Sequence, residues 1–72
     1  MEIPQISGIE LVKRLSKKGF MIVRQRGSHI RLQKITPDKI IKITVPNHPK
    51  LKKGTLNQII KDSELIREEV FG

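Results

Sequence analysis

The stretch Phe20-Met21-Ile22-Val23-Arg24-Gln25-Arg26-Gly27-Ser28-His29-Ile30-Arg31-Leu32-Gln33-Lys34 decides the fold. Its first half is rich in strand formers, its second half alternates apolar with polar residues, and Gly27-Ser28 between them is a two-residue hairpin signal. A tight antiparallel hairpin is therefore expected. A two-residue loop sets Arg26 opposite His29, Arg24 opposite Arg31 and Ile22 opposite Gln33, all on one face. The other face then holds Met21, Val23, Ile30 and Leu32, the natural core set, and His29 stands outside among arginines.

Working outward, Thr36-Pro37-Asp38-Lys39 is a turn and Ile40 to Val45 supplies a third strand. The prolines of Pro46-Asn47-His48-Pro49 lack amide donors and stop the ladder, so a loop bearing Lys50, Lys52 and Lys53 follows. Before the hairpin, Ser7 and Glu10 have capping-box spacing, Ile6 is placed to staple the entry, and Gly19 should end the helix. Leu11, Val12 and Leu15 share one side of it, while Lys13, Arg14, Lys17 and Lys18 spread over the other. After the loop, Thr55 with Gln58 repeats the capping-box spacing, and Leu56, Ile59 and Ile60 form a second buried stripe. Asp62-Ser63 should break that helix, with Glu64 to Val70 packing as a short helix through Leu65, Ile66 and Val70. The expected class is α+β: helix, three-stranded antiparallel sheet, helix, with the helices on one face of the sheet and the other face open.

Seventy-two residues with 36% hydrophobic content fit a single domain, residues 1–72, with one modest core. Without cysteine, neither disulfides nor thiolate-bound metal can support it, and no apolar run is long enough for a membrane span or a signal peptide. A cytoplasmic protein is the expectation. The net charge of +8 is unevenly spread: between Leu11 and Lys61 fourteen Lys or Arg face Asp38 alone, and the remaining acids lie at the two ends. Such a body attracts polyanions and gains affinity by releasing their counterions. Phe20 and Phe71 are the only rings, so stacking of splayed bases is excluded as the main binding mode and phosphate and sugar contacts are favoured.

Four segments carry a resemblance: Gly19-Phe20, then Arg24-Gln25-Arg26-Gly27-Ser28-His29, then Val45-Pro46-Asn47-His48-Pro49, then Lys53-Gly54-Thr55-Leu56. Together they resemble the motif series of HicA toxins over nearly the whole chain, the acidic tail excepted. The resemblance implies a fold similar to double-stranded-RNA-binding domains and an mRNA interferase activity within a type II toxin-antitoxin system. It also implies catalysis by the histidine that follows Gly-Ser, here His29, and neutralisation by a HicB-like antitoxin.

The residues alone support part of this. RNA cleavage needs a proton acceptor for the 2′-hydroxyl, a proton donor for the leaving oxygen, and cations beside the phosphorus centre. Histidine titrates near physiological pH, and arginine's forked donors suit a phosphate. His29 is thus the candidate catalytic residue, with Arg24, Arg26 and Arg31 as candidate phosphate binders. Gly27 and Ser28 read first as turn formers, the Ser28 hydroxyl being a further candidate contact. Lys53, at the start of the second helix, is another candidate phosphate ligand, although simple helix capping is the better explanation of that segment. His48, between two prolines, is read as shaping its loop. Two histidines without cysteine make a poor zinc site, so neither metal nor cofactor is expected. Two alternatives remain open: a non-catalytic RNA- or DNA-binding module of the same fold, and a protein-binding domain that uses its charge on an acidic partner.

Overall fold

The computed structural model describes residues 5–72; the first four residues of the expected 1–72 domain lie outside the described part. The elements run α1 (Gly8–Ser16), β1 (Met21–Arg26), β2 (His29–Ile35), β3 (Ile40–Pro46), α2 (Lys53–Ser63) and α3 (Arg67–Phe71). The strands form one antiparallel sheet in the order β1-β2-β3. This is the α+β arrangement that the sequence predicts.

Ser7, in extended conformation, caps α1: its Oγ accepts the Glu10 amide at 3.0 Å, satisfying one of the helix's unpaired donors. At the other end Gly19 adopts φ 99°, and the Phe20 amide reaches back to the Leu15 carbonyl at 3.2 Å. That left-handed step, cheap only for glycine, sends Phe20 straight into the core. The helix buries Leu11, Val12 and Leu15. Arg14 leaves the expected cationic face, because its Nη1 donates to the Val70 carbonyl at 3.0 Å and its guanidinium lies 5.5 Å from the Phe71 ring centroid. It ties α1 to α3.

The hairpin turn has Gly27 at φ 58° while Ser28 keeps a negative φ, the sign pattern of a type II′ turn with glycine in its first central position. Arg26 then pairs with His29 and Arg24 with Arg31, as expected. Beyond Arg24 the register shifts: Ile22 faces Leu32 and Met21 faces Gln33, leaving Val23 as an extra residue in β1. The expected pairing of Ile22 with Gln33 is thereby corrected. So is the expected core face, for Ile30 and Leu32 are buried but Met21 and Val23 are 60% and 49% exposed. The reason is coverage: the helices make their closest contacts with the sheet at β3, α1 only borders a hollow beside Ile22, and every β1 residue stays exposed.

Thr36 closes the second hairpin with its side chain, Oγ1 donating to the Lys39 carbonyl (2.8 Å) and accepting the Lys39 amide (3.0 Å). In β3, Ile41, Ile43 and Val45 point into the core while Lys42 and Thr44 point out. The following loop is stitched to both ends of the fold. Asn47 donates its amide to the Ser28 carbonyl at 2.6 Å, and the His48 carbonyl accepts the Gly8 amide at 2.9 Å. A Cβ on Gly8 would sit 1.9 Å from the Pro46 carbonyl oxygen, so only glycine permits this approach.

The second helix begins two residues before the expected Thr55 cap. Buried Leu51 fixes the chain's entry, Lys52 takes the N-cap position, and the Leu56 amide closes on the Lys52 carbonyl at 2.9 Å. Gln58 therefore lies inside the helix and bonds Asp62 at 2.8 Å, four residues on. The break at Asp62-Ser63 is real: Ser63, buried, donates to the Ile60 carbonyl and accepts the Leu65 amide, and Glu64 turns left-handed at φ 63°. In the tail Val70 is buried and Leu65 packs on the core, but Ile66 is 59% exposed, correcting its expected packing role. Its amide instead donates to Glu69 Oε1, which starts α3. Among the described residues no helix is long and apolar enough to cross a membrane.

Candidate nucleic-acid interface

Cross-strand partners share a face, so the register alone assembles the open side of the sheet. Near the hairpin turn, Arg26, His29 and Pro46 form one row; the next row is Arg24, Arg31 and Thr44. These rows line a hollow of about 380 Å³, walled by Arg24, Arg26, His29, Arg31 and Thr44. His29 is exposed there, with the neighbouring Ile30 turned inward and almost fully buried. The imidazole stands clear of the core.

Arg24 directly opposite Arg31 is an unfavourable cross-strand pair, since like charges repel at that spacing. No carboxylate in this hollow offsets it. Among the described residues the ion pair is Lys39 with Glu64, away from this hollow. Three guanidinium groups and an imidazole thus line one solvent-open hollow, which suits a polyanion. Among the described residues, no group of three or more His, Cys, Asp or Glu gathers as metal ligands would.

The sequence-predicted residues divide cleanly. Arg24, Arg26, His29 and Arg31 come together in the hollow. Ser28 sits in the adjoining turn, exposed, with its carbonyl engaged by Asn47. Lys53 opens α2, exposed, and is not part of the hollow's wall. His48 serves its loop through its backbone, donating to the Pro46 carbonyl at 3.0 Å and accepting from Gly8. Thr44 was not anticipated. Its signal was present, because Ile35 and Ile40 flank the Thr36–Lys39 turn as partners, and counting back from them puts Thr44 opposite Arg31.

A family model described as the HicA toxin of bacterial toxin-antitoxin systems matches residues 8–65, from the first residue of α1 to just past α2. The chain belongs to the HicA toxin family. No curated protein matches it, and no solved structure does. The HicA match covers every element but α3, and therefore the whole hollow around His29. Membership makes the chain a toxin of a toxin-antitoxin system and implies a cognate antitoxin as its partner.

Proposed function

We propose that the chain is a metal-independent endoribonuclease that cleaves messenger RNA, with His29 as its proton-transfer residue and Arg24, Arg26 and Arg31 as its phosphate binders. The observation that supports this most is the exposed imidazole sharing one hollow with three guanidinium groups and no carboxylate in its wall. The scissile phosphodiester lies among the arginines. His29 takes the proton from the 2′-hydroxyl, the 2′-oxygen attacks phosphorus, and the bond from phosphorus to the 5′-oxygen breaks. The guanidinium groups stabilise the charge that builds on the phosphoryl oxygens. No second histidine and no carboxyl group lines the hollow, and the proton for the leaving 5′-oxygen comes from water, the substrate or a lysine. Ser28 contributes a hydroxyl contact at the rim, and Lys53 adds attraction for a more distant phosphate.

The antitoxin in this reading is HicB-like and covers the same cationic face with acidic groups, blocking access to RNA. His29→Ala tests the catalytic assignment. Because the side chain is exposed, the variant folds; it should lose RNA cleavage while retaining binding that weakens with salt. Cleavage persisting in the variant would remove His29 from the mechanism. If parent and variant bind RNA alike and neither cuts it, the chain is a binding module.

A further inference from the structure

The hollow around His29 does not end at Arg31. A second hollow, of about 460 Å³, adjoins it and shares Arg24, Arg31 and Thr44 as a common wall. It adds Gln33 and Lys42, which pair directly across β2 and β3, the half-exposed flank of Val23, and the core-facing Leu32 and Ile43 that lie between the two open-face rows. Asp62 is the carboxylate in its wall and already accepts a hydrogen bond from Gln58, so three cations outweigh one acid.

The two hollows lie in line along the strands. Moving from Arg31 to Gln33, or from Thr44 to Lys42, is a two-residue step of about 6.6 Å on the same face of the sheet. That step is close to the separation of neighbouring phosphates in an extended strand. A duplex repeats that spacing within each of its strands, so it is the width of the sheet, three strands or about 10 Å, that suits one strand rather than two.

We infer that Lys42, with Gln33 and the shared Thr44, forms a second phosphate subsite that holds the next phosphate of a single-stranded RNA segment running along β2 and β3 away from His29. Lys42 supplies the point charge, and the Gln33 amide and Thr44 hydroxyl supply neutral hydrogen bonds to phosphate or ribose oxygens. The shared wall of Arg24 and Arg31 spans both seats, so a strand bound in the second hollow is aligned with its neighbouring phosphodiester at His29. This rests on the reading of the face as an RNA site, but not on catalysis.

The experiment measures binding of labelled single-stranded RNA, a dinucleotide with one phosphodiester and a hexanucleotide, to the uncleaving His29→Ala chain over a salt series. Adding Lys42→Gln should make the hexanucleotide's log-log salt slope shallower by about 0.7, one phosphate contact on a single strand, and leave the dinucleotide's unchanged. Lys18→Gln, which removes the same charge from the exposed turn after α1, should not change either slope. Thr44→Val should weaken both ligands, since Thr44 serves both hollows. Equal slopes for Lys42→Gln and its parent would overturn the second subsite while leaving the first standing. The same shift from Lys18→Gln would reduce Lys42 to general charge. Loss of binding to a poly-glutamate peptide, with hexanucleotide binding intact, would make the hollow a protein-docking surface instead. If the parent binds neither RNA, this subsite and the nuclease reading fail together; salt-dependent binding with the Lys42 effect but no cleavage by the native chain sustains the subsite and sinks only the nuclease.

Discussion

β1 and β3 are the two edges of the same sheet, both carry apolar residues fit for a core, and they meet opposite fates. In β3 every second residue is buried, Ile41, Ile43 and Val45 in turn; in β1, from Met21 to Arg26, every residue is exposed. Composition leans the same way, with five β-branched residues in β3 and two in β1, but Ile22 and Val23 are as fit for a core as Ile41 and Ile43 and still lie exposed. What differs is cover, since α1 and α2 pack most closely on β3, while β1 is exposed throughout and only borders α1 beside Ile22. Burial here is a property of what lies over a strand. The uncovered strand is thereby free to contribute Arg24 and Arg26 to the hollow and to absorb an extra residue at Val23, which a packed strand would resist.

The comparison breaks first, and by most, at the covered edge. Ile43→Ala removes a side chain that is 5% exposed and leaves a cavity between β3 and the helices, which should cost about 2 to 5 kcal/mol in chemical denaturation. A loss under about 1 kcal/mol would mean that β3 is no better packed than β1. Next comes the point where β3 ends against the start of α1. Gly8→Ala places a methyl group into the Pro46 carbonyl, and either the helix or the strand end must shift, at about 1 to 3 kcal/mol. The Gly8 to His48 hydrogen bond would lengthen with it, so faster exchange of the Gly8-position amide should accompany the lost stability.

How far the sequence could be read follows the same division. The Ser7 cap, the Gly27-Ser28 turn and the pairing of Arg24 and Arg26 with Arg31 and His29 depend on interactions a few residues apart, and each is legible in spacing alone. The bulge at Val23 is not. Met21, Ile22 and Val23 are all apolar, so an inserted residue leaves no gap in any alternation, and the error reaches the pairing of Ile22 and the expected burial of Met21. The start of α2 was hidden for a related reason, because Thr55 and Gln58 fit a cap locally while the anchor that sets the boundary is Leu51, held in the core. In the hollow, the four residues contributed by the hairpin could be read directly. Thr44 arrives from the third strand and needed a register carried across the Thr36–Lys39 turn.

The smallest effect sharpens the comparison best, because one substitution can be placed on both edges. Valine to threonine keeps the branched shape and exchanges a methyl for a hydroxyl, so only the surroundings decide its cost. At Val45, which is fully buried, the hydroxyl loses its water, and a loss of about 1 to 3 kcal/mol is expected unless it finds a partner. At Val23, 49% exposed in the bulge, the hydroxyl stays hydrated and threonine suits a strand equally well, so stability should stay within about 0.5 kcal/mol of the parent. Equal losses at both positions would show that something covers β1 after all. A second copy of the chain is the simplest such cover, and it would make the cost at Val23 rise with protein concentration, whereas the cost at Val45 would not depend on it.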